Sequence, residues 1–259
     1  MGNIEKQDLT KKIIDILDRH DNGTEVNRQI AEMVFDSPDT PEKDALIALI
    51  YHDGIGVDPD LEKSFEFAEK AAFQGNQGLG YYLLGYMCEN AETPDQAEGG
   101  TRQKYDHYDA ERFYEICSKI ESPWREPAVI WLGDYYMDSA KGGDPEIGVE
   151  YYESIAGSNA DAAGRLSDHY WDLAMPDYLD DEEWTANLFK WTEVAADLDP
   201  EEFTYRLGWL YADGIGCEKD SDKAMQLFKK AYELGDWRGA KTTADIMRNS
   251  LRANADIDE

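Results

Sequence analysis

Positive charge is scarce in this chain. Its 259 residues carry 25 Lys and Arg against 56 Asp and Glu, a net charge of −31. Phosphate binding draws on clustered Lys and Arg, so the shortage counts against nucleic acid as a partner and against anionic membrane surfaces. A basic protein partner would instead be steered inward; a solvated surface that keeps the chain soluble, or salt adaptation, accounts for the same charge without one. Long apolar runs are also missing: no stretch of about 18 residues would cross a bilayer, and the opening MGNIEKQDLTKK has no apolar core of a signal peptide. Cysteine is rare. Cys88, Cys117 and Cys217 are odd in number and lack metal-site spacing, which gives no disulfide framework and leaves free thiols in an expected cytoplasmic protein.

The motifs of common enzymes are absent as well. There is no G-x-S-x-G, no P-loop and no H-E-x-x-H. The four His, at 20, 52, 107 and 169, are scattered. The acidic run Asp177, Asp180, Asp181, Glu182, Glu183 lacks calcium-loop spacing and its Gly, and helix capping with solvation accounts for it. The expectation is no catalytic residue, no metal and no cofactor.

What is present is repetition. Tyr51 to Gly75 reads YHDGIGVDPDLEKSFEFAEKAAFQG, and Tyr211 to Gly235 reads YADGIGCEKDSDKAMQLFKKAYELG; the offset is 160 residues without a gap. Self-similarity at a fixed offset marks a repeat architecture. Each copy reads as helix A, tight turn, helix B. Helix A ends at Asp53 and Asp213, Gly54 and Gly214 suit the left-handed closing position, and Gly56 and Gly216 allow a second unusual turn. Asp60 and Asp220 are placed to cap helix B. Phe65, Ala68 and Ala72 in one copy, and Met225, Phe228 and Tyr232 in the other, give helix B its apolar spacing, and Gly75 and Gly235 end it.

The run Leu207-Gly208-Trp209-Leu210-Tyr211, then Gly214-Ile215-Gly216-Cys217, Asp220, Lys223-Ala224, Phe228, Lys230-Ala231 and Gly235, resembles the Sel1-like repeat, a relative of the tetratricopeptide repeat. The first copy departs from the pattern at Ile47-Ala48 and Ser64. Leu84-Gly85, Leu132-Gly133 and Leu166-Ser167 echo Leu207-Gly208. From Ala48 the small-residue anchors then step by 37, 48, 34 and 41 residues, giving five units. The small residue lets helix A pack closely on a neighbour. The resemblance implies an all-α solenoid of helix pairs, with residues 40–236 as repeats and a long insertion at 91–106 in the second unit. Residues 1–39 read as an N-terminal helical cap, with helices at 7–20 (Leu9, Ile13, Ile16, Leu17 on one face) and 24–35 (Val26, Ile30, Met33, Val34). Residues 237–259 read as a C-terminal cap helix and tail.

Solenoids present a concave face lined by one helix of each unit, and in the related repeats that is helix A. The positions expected to face away from the Leu-Gly-Tyr core are Tyr82 and Tyr86, Trp131 and Asp134, Arg165 and Asp168, and Arg206 and Trp209. Aromatics and Arg are frequent binding hot spots, though Trp131, Trp209 and Tyr86 would equally fill the core between units. Arg165 and Arg206 share a register, a basic stripe suited to a peptide carboxylate. The resemblance implies a non-enzymatic adaptor that binds a protein or peptide. The alternative, also carried by the resemblance, is an immunity-type protein that neutralises a basic bacterial toxin.

Overall fold

The computed structural model describes residues 25–93, 105–174, 181–239 and 241–242. Among them every regular element is helical: α1 (Glu25–Phe35), α2 (Pro41–Asp53), α3 (Leu61–Gly75), α4 (Gly78–Glu89), α5 (His107–Ser118), α6 (Arg125–Met137), a 3-10 turn (Ser139–Lys141), α7 (Pro145–Glu153), α8 (Ala160–Ala174), α9 (Glu182–Leu198), α10 (Pro200–Asp213) and α11 (Ser221–Glu233). The expected helix at 7–20, most of the 91–106 insertion and the C-terminal segment from 243 lie outside the described residues. The chain divides into two compact units, residues 1–132 and 133–259. In the first, each helix from α1 to α5 packs on the next, and α2 also meets α4; in the second, α7 to α11 pack successively.

Aspartate starts the B helices. Asp60, Asp106, Asp144, Asp181 and Asp220 sit at the N-caps of α3, α5, α7, α9 and α11, each accepting from backbone N–H groups of the first turn. An Asp here satisfies orphan donors and meets the positive end of the helix dipole. Part of the acidity is therefore structural.

Eight residues after the caps of α5, α7 and α11 comes the side chain that meets helix A: Tyr114, Tyr152 or Phe228, all nearly inaccessible to water. In α9 the residue that does so is Thr192, eleven after Asp181. Each aromatic ring lies against the small residue of helix A. A Cβ on Gly85 would stand 3.0 Å from the Tyr114 ring, one on Gly208 2.9 Å from Phe228, and one on Gly133 would overlap Tyr152. Burying such a ring is worth about 1.5–3 kcal/mol. In the first repeat the position holds Ala68, and the Ser64 hydroxyl instead donates to the Ala48 carbonyl at 2.8 Å. In α8 the Ser167 hydroxyl pairs with that of Thr192, also at 2.8 Å and buried. A hydroxyl pair thus fills the volume that glycine and an aromatic fill elsewhere.

The glycine turns form as the sequence implies. Gly54 and Gly214 close α2 and α10 in the left-handed region, at φ 68° and 75°. The second glycine has a further reason. Gly56 and Gly216 also have positive φ, 68° and 67°. Where a Cβ would stand on Gly56 lie the Arg28 Cα and the Asn27 carbonyl of α1, both at 2.5 Å; on Gly216 it would strike the Thr185 carbonyl of α9. Each turn rests on the backbone of an earlier helix.

Two expectations are corrected. In α1 the buried face is Asn27, Ile30, Ala31 and Val34, while Val26 and Met33 are exposed. The turn at Gly56 lands on Asn27 and Arg28, and this contact sets the inward face. In α11, Ala224, Phe228 and Ala231 are buried and Tyr232 is exposed; Gly239, in the helical residues 237–239, lies against the α11 backbone between Phe228 and Tyr232. Gly75 ends α3 as expected, and the left-handed residue after it is Asn76, at φ 51°.

Candidate functional site

The eight expected positions lie on α4, α6, α8 and α10, and the two units treat them differently. In the first unit, Tyr82 is half-buried between Tyr114 and Trp124, with ring centroids 5.5 and 5.1 Å away. Trp131 lies 4.3 Å from Tyr114, its plane tilted by 31°. Both serve the packing around Tyr114, whose phenol burial drives far above its ordinary value. Tyr86 remains exposed at 37% and sets its ring edge-on to His52 at 5.2 Å.

In the second unit the expected basic stripe is already paired. Arg165 of α8 donates to Asp134 of α6 at 2.5 Å and to Asp161 at 3.2 Å. Arg206 of α10 donates to Asp168 of α8 at 2.5 Å and to the Ser167 hydroxyl at 2.9 Å. Each Arg stands two residues before its unit's small residue, and each Asp one residue after the small residue of the preceding unit. The result is a two-rung ladder between successive A helices. Burial works against the Arg165 charge, and Asp134 and Asp161 outweigh it. Arg206 also lies over the faces of Trp171 and Phe203, at 4.9 and 5.4 Å, and Trp171 meets half-buried Trp209 at 5.2 Å. The Tyr152 hydroxyl donates to Asp134 at 2.5 Å, and burial with this carboxylate pushes its phenol upward.

Trp171, Asp161 and Tyr152 join this site without having been expected. The signal for the ladder was present: Arg165-Leu166-Ser167-Asp168 carries both halves of the register, Asp134 and Arg206 complete it, and the step between units brings them together.

The rungs are accessible to water, so their worth is limited. In double-mutant cycles, Arg165→Ala with Asp134→Ala and Arg206→Ala with Asp168→Ala are each expected to show about 0.2–1 kcal/mol of coupling in urea unfolding. That coupling should shrink as salt rises toward about 1 M. Arg206→Ala alone is expected to cost more than Arg165→Ala, because stacking on Trp171 adds about 0.5–1 kcal/mol. Equal costs at all salt concentrations would contradict the assignment.

Among the described residues no group of three or more His, Cys, Asp and Glu has the placement to hold a metal ion, and no helix is long and apolar enough to cross a membrane. Cys88 and Cys117 are buried, and burial pushes both thiols up to about 12. Such thiols are not thiolate nucleophiles at neutral pH.

Four segments, 45–76, 78–99, 127–157 and 202–236, match the model of the Sel1 repeat. They take in the first, second, third and last of the anchors; α8 and α9 lie outside them. Among solved structures, the chain is similar to a protective antigen with an SLR fold from uropathogenic Escherichia coli, at 21% identity and TM-score 0.59 over 87% of this chain and 45% of that one. The chain thus spans less than half the length of that relative. It is also similar to a Sel1 repeat protein from Oxalobacter formigenes, at 18% identity and TM-score 0.56 over 92% and 88%. At these identities the likeness concerns the fold, which is all-α and of the α-solenoid class. Sel1 repeat proteins in general mediate protein–protein contacts as non-catalytic scaffolds, and with the helix pairs, the glycine turns and the four matching segments in place, this chain belongs to the Sel1 repeat family.

Proposed function

We propose that this chain is a non-enzymatic scaffold that takes a protein or peptide onto the A-helix face of its second unit, and that the segment it takes is basic. The observation that carries the reading is the polarity of the ladder. In each rung the Asp side chain is more accessible than the Arg side chain: 45% against 38% for Asp134 and Arg165, and 59% against 27% for Asp168 and Arg206. The Arg side chains are engaged, while the Asp oxygens retain open acceptor positions. Residues 134–202 hold 19 Asp and Glu against three Lys and Arg, a net of −16, so the surrounding field has the same sign. Trp171 already accepts one guanidinium on its face, and the ring pair it forms with Trp209 supplies aromatic area of the kind found at hot spots.

The test begins with co-purification from the source cell and continues with titration of the recovered partner. Affinity is expected to fall as salt rises, and Asp134→Asn with Asp168→Asn together should weaken binding by about tenfold or more. Loss of binding on substitution of exposed Tyr232 in a B helix, with the Asp variants unaffected, would move the site to the other face. A turnover activity that tracks with the purified chain would instead favour an enzyme. A second reading, an immunity-type protein that neutralises a basic toxin, is favoured by the same charge. A toxin-encoding gene adjacent to this one supports it, and a housekeeping context removes it.

A further inference from the structure

His52 is the last-but-one residue of α2, and both of its ring nitrogens face carboxylates. Nδ1 lies 2.5 Å from an oxygen of Asp53, on the same helix, and Nε2 lies 3.2 Å from an oxygen of Glu92, three residues beyond the end of α4. The side chain is only 12% accessible, and the two carboxylates are partly covered, at 27% and 30%. An imidazolium has two N–H donors and satisfies both carboxylates. A neutral imidazole has one, so whichever nitrogen lacks the proton presents a lone pair to a carboxylate.

We propose that His52 is a proton-operated link between the first two A helices, closed through Glu92 when the ring is charged and open when it is neutral, and that Tyr86 carries its state to the surface. Tyr86 lies on α4, edge-on to the His52 ring and exposed. The link needs no partner and does not rest on the binding proposed for the second unit.

The surroundings favour the closed state. Burial disfavours the charged ring, but the hydrogen bonds and charges of Asp53 and Glu92 outweigh it and hold the ring above its usual value. Glu89, Glu92 and Asp53 also act on the Tyr86 phenol, which burial first pushes upward. The cations of the other helices packed on α2 are engaged elsewhere: Lys63 of α3 with Asp60, Lys70 of α3 with Asp44, and Arg28 of α1 with Glu25. The sign follows. A ring with a raised value adds stability that is fully present below the ordinary imidazole value, about 6.5, and is lost as pH rises through the folded value. His169, in the second unit, has the opposite sign: burial lowers its value against the pull of Asp172. A global pH–stability curve would mix the two, so the readout must be residue-specific.

The experiment is a proton–carbon NMR titration of the imidazole and Tyr ring signals of the full chain from pH 5 to 9. His52→Gln assigns the His52 signal, backed by its ring contact with Tyr86. The expected result is a His52 midpoint above the ordinary value and above that of His169. Glu92→Gln and Asp53→Asn should each lower it, and the Tyr86 ring signals should move with the His52 midpoint. Glu92→Gln should also remove most of the Tyr86 shift while circular dichroism stays unchanged. A midpoint at or below the ordinary value, no response to Glu92→Gln, or a Tyr86 signal flat across the transition would overturn the link. None of these readings depends on a partner, so a failure here leaves the binding proposal standing, and a failure there leaves the link.

Discussion

Gly216→Ala is expected to be among the most damaging small substitutions in the second unit, and Gly56→Ala its counterpart in the first. Two costs combine. The backbone at both positions has positive φ, near 67°, where an L side chain is strained by about 1–3 kcal/mol. The new methyl group also has no room, since its site is held by backbone: the Thr185 carbonyl of α9 at Gly216, and Asn27 and Arg28 of α1 at Gly56. Backbone within a helix cannot swing aside as a side chain can, so overpacking adds about 1–3 kcal/mol. Gly142 is the control. It has φ 85° with nothing within 4 Å of a Cβ, so Gly142→Ala carries only the first cost. The order in urea unfolding should be Gly216→Ala and Gly56→Ala well below Gly142→Ala in stability. Three equal losses would mean that the contact with the earlier helix does not matter.

Tyr114→Ala should cost about 3–5 kcal/mol, the range for removing a buried aromatic. The ring is 1% accessible, lies under Gly85 and carries Tyr82 and Trp131 on its other sides. Its hydroxyl matters far less. The bond to Glu89 is long, at 3.4 Å, so Tyr114→Phe should cost about 1 kcal/mol or less, at the low end for a hydrogen bond. The contrast separates packing from polarity. If both variants lose the same stability, the hydroxyl rather than the ring holds α4 to α5. Quenching or release of Trp131 fluorescence gives an independent readout, expected to change in Tyr114→Ala and not in Tyr114→Phe.

Much of the fold could be read from residues whose roles are local. A glycine that needs positive φ and an aspartate before a helix each act through their own backbone, so the turns and two caps were legible at Gly54, Gly214, Asp60 and Asp220. What escaped were contacts set by another element. Val26 and Met33 have the spacing of a core face, yet α1 turns Asn27 inward because a turn about thirty residues later rests there. The same cause hid Thr185, buried in α9 beneath Gly216. At the candidate site the register of Arg165 and Arg206 was legible and their destination was not. A sequence shows that the cations and the aspartates share a register; it does not show that each Arg turns back to the Asp of the preceding A helix rather than outward to a partner. The basic stripe expected to meet a carboxylate from outside meets one from its own chain.

The ladder bears on how such an array can grow. The segment with α8 and α9 is double-ended: Arg165 reaches back to Asp134, and Asp168 is reached by Arg206. Tandem duplication of that segment would set the second copy's Arg165 against the first copy's Asp168, and the second copy's Asp168 against Arg206, so every charge of the ladder would keep its opposite. Duplicating α10 and α11 would bring a second Arg206 up against Trp209, with no carboxylate in register. Gene duplication thus keeps the ladder pairs at one segment and breaks them at the next, so the ladder can lengthen from within but not past Arg206.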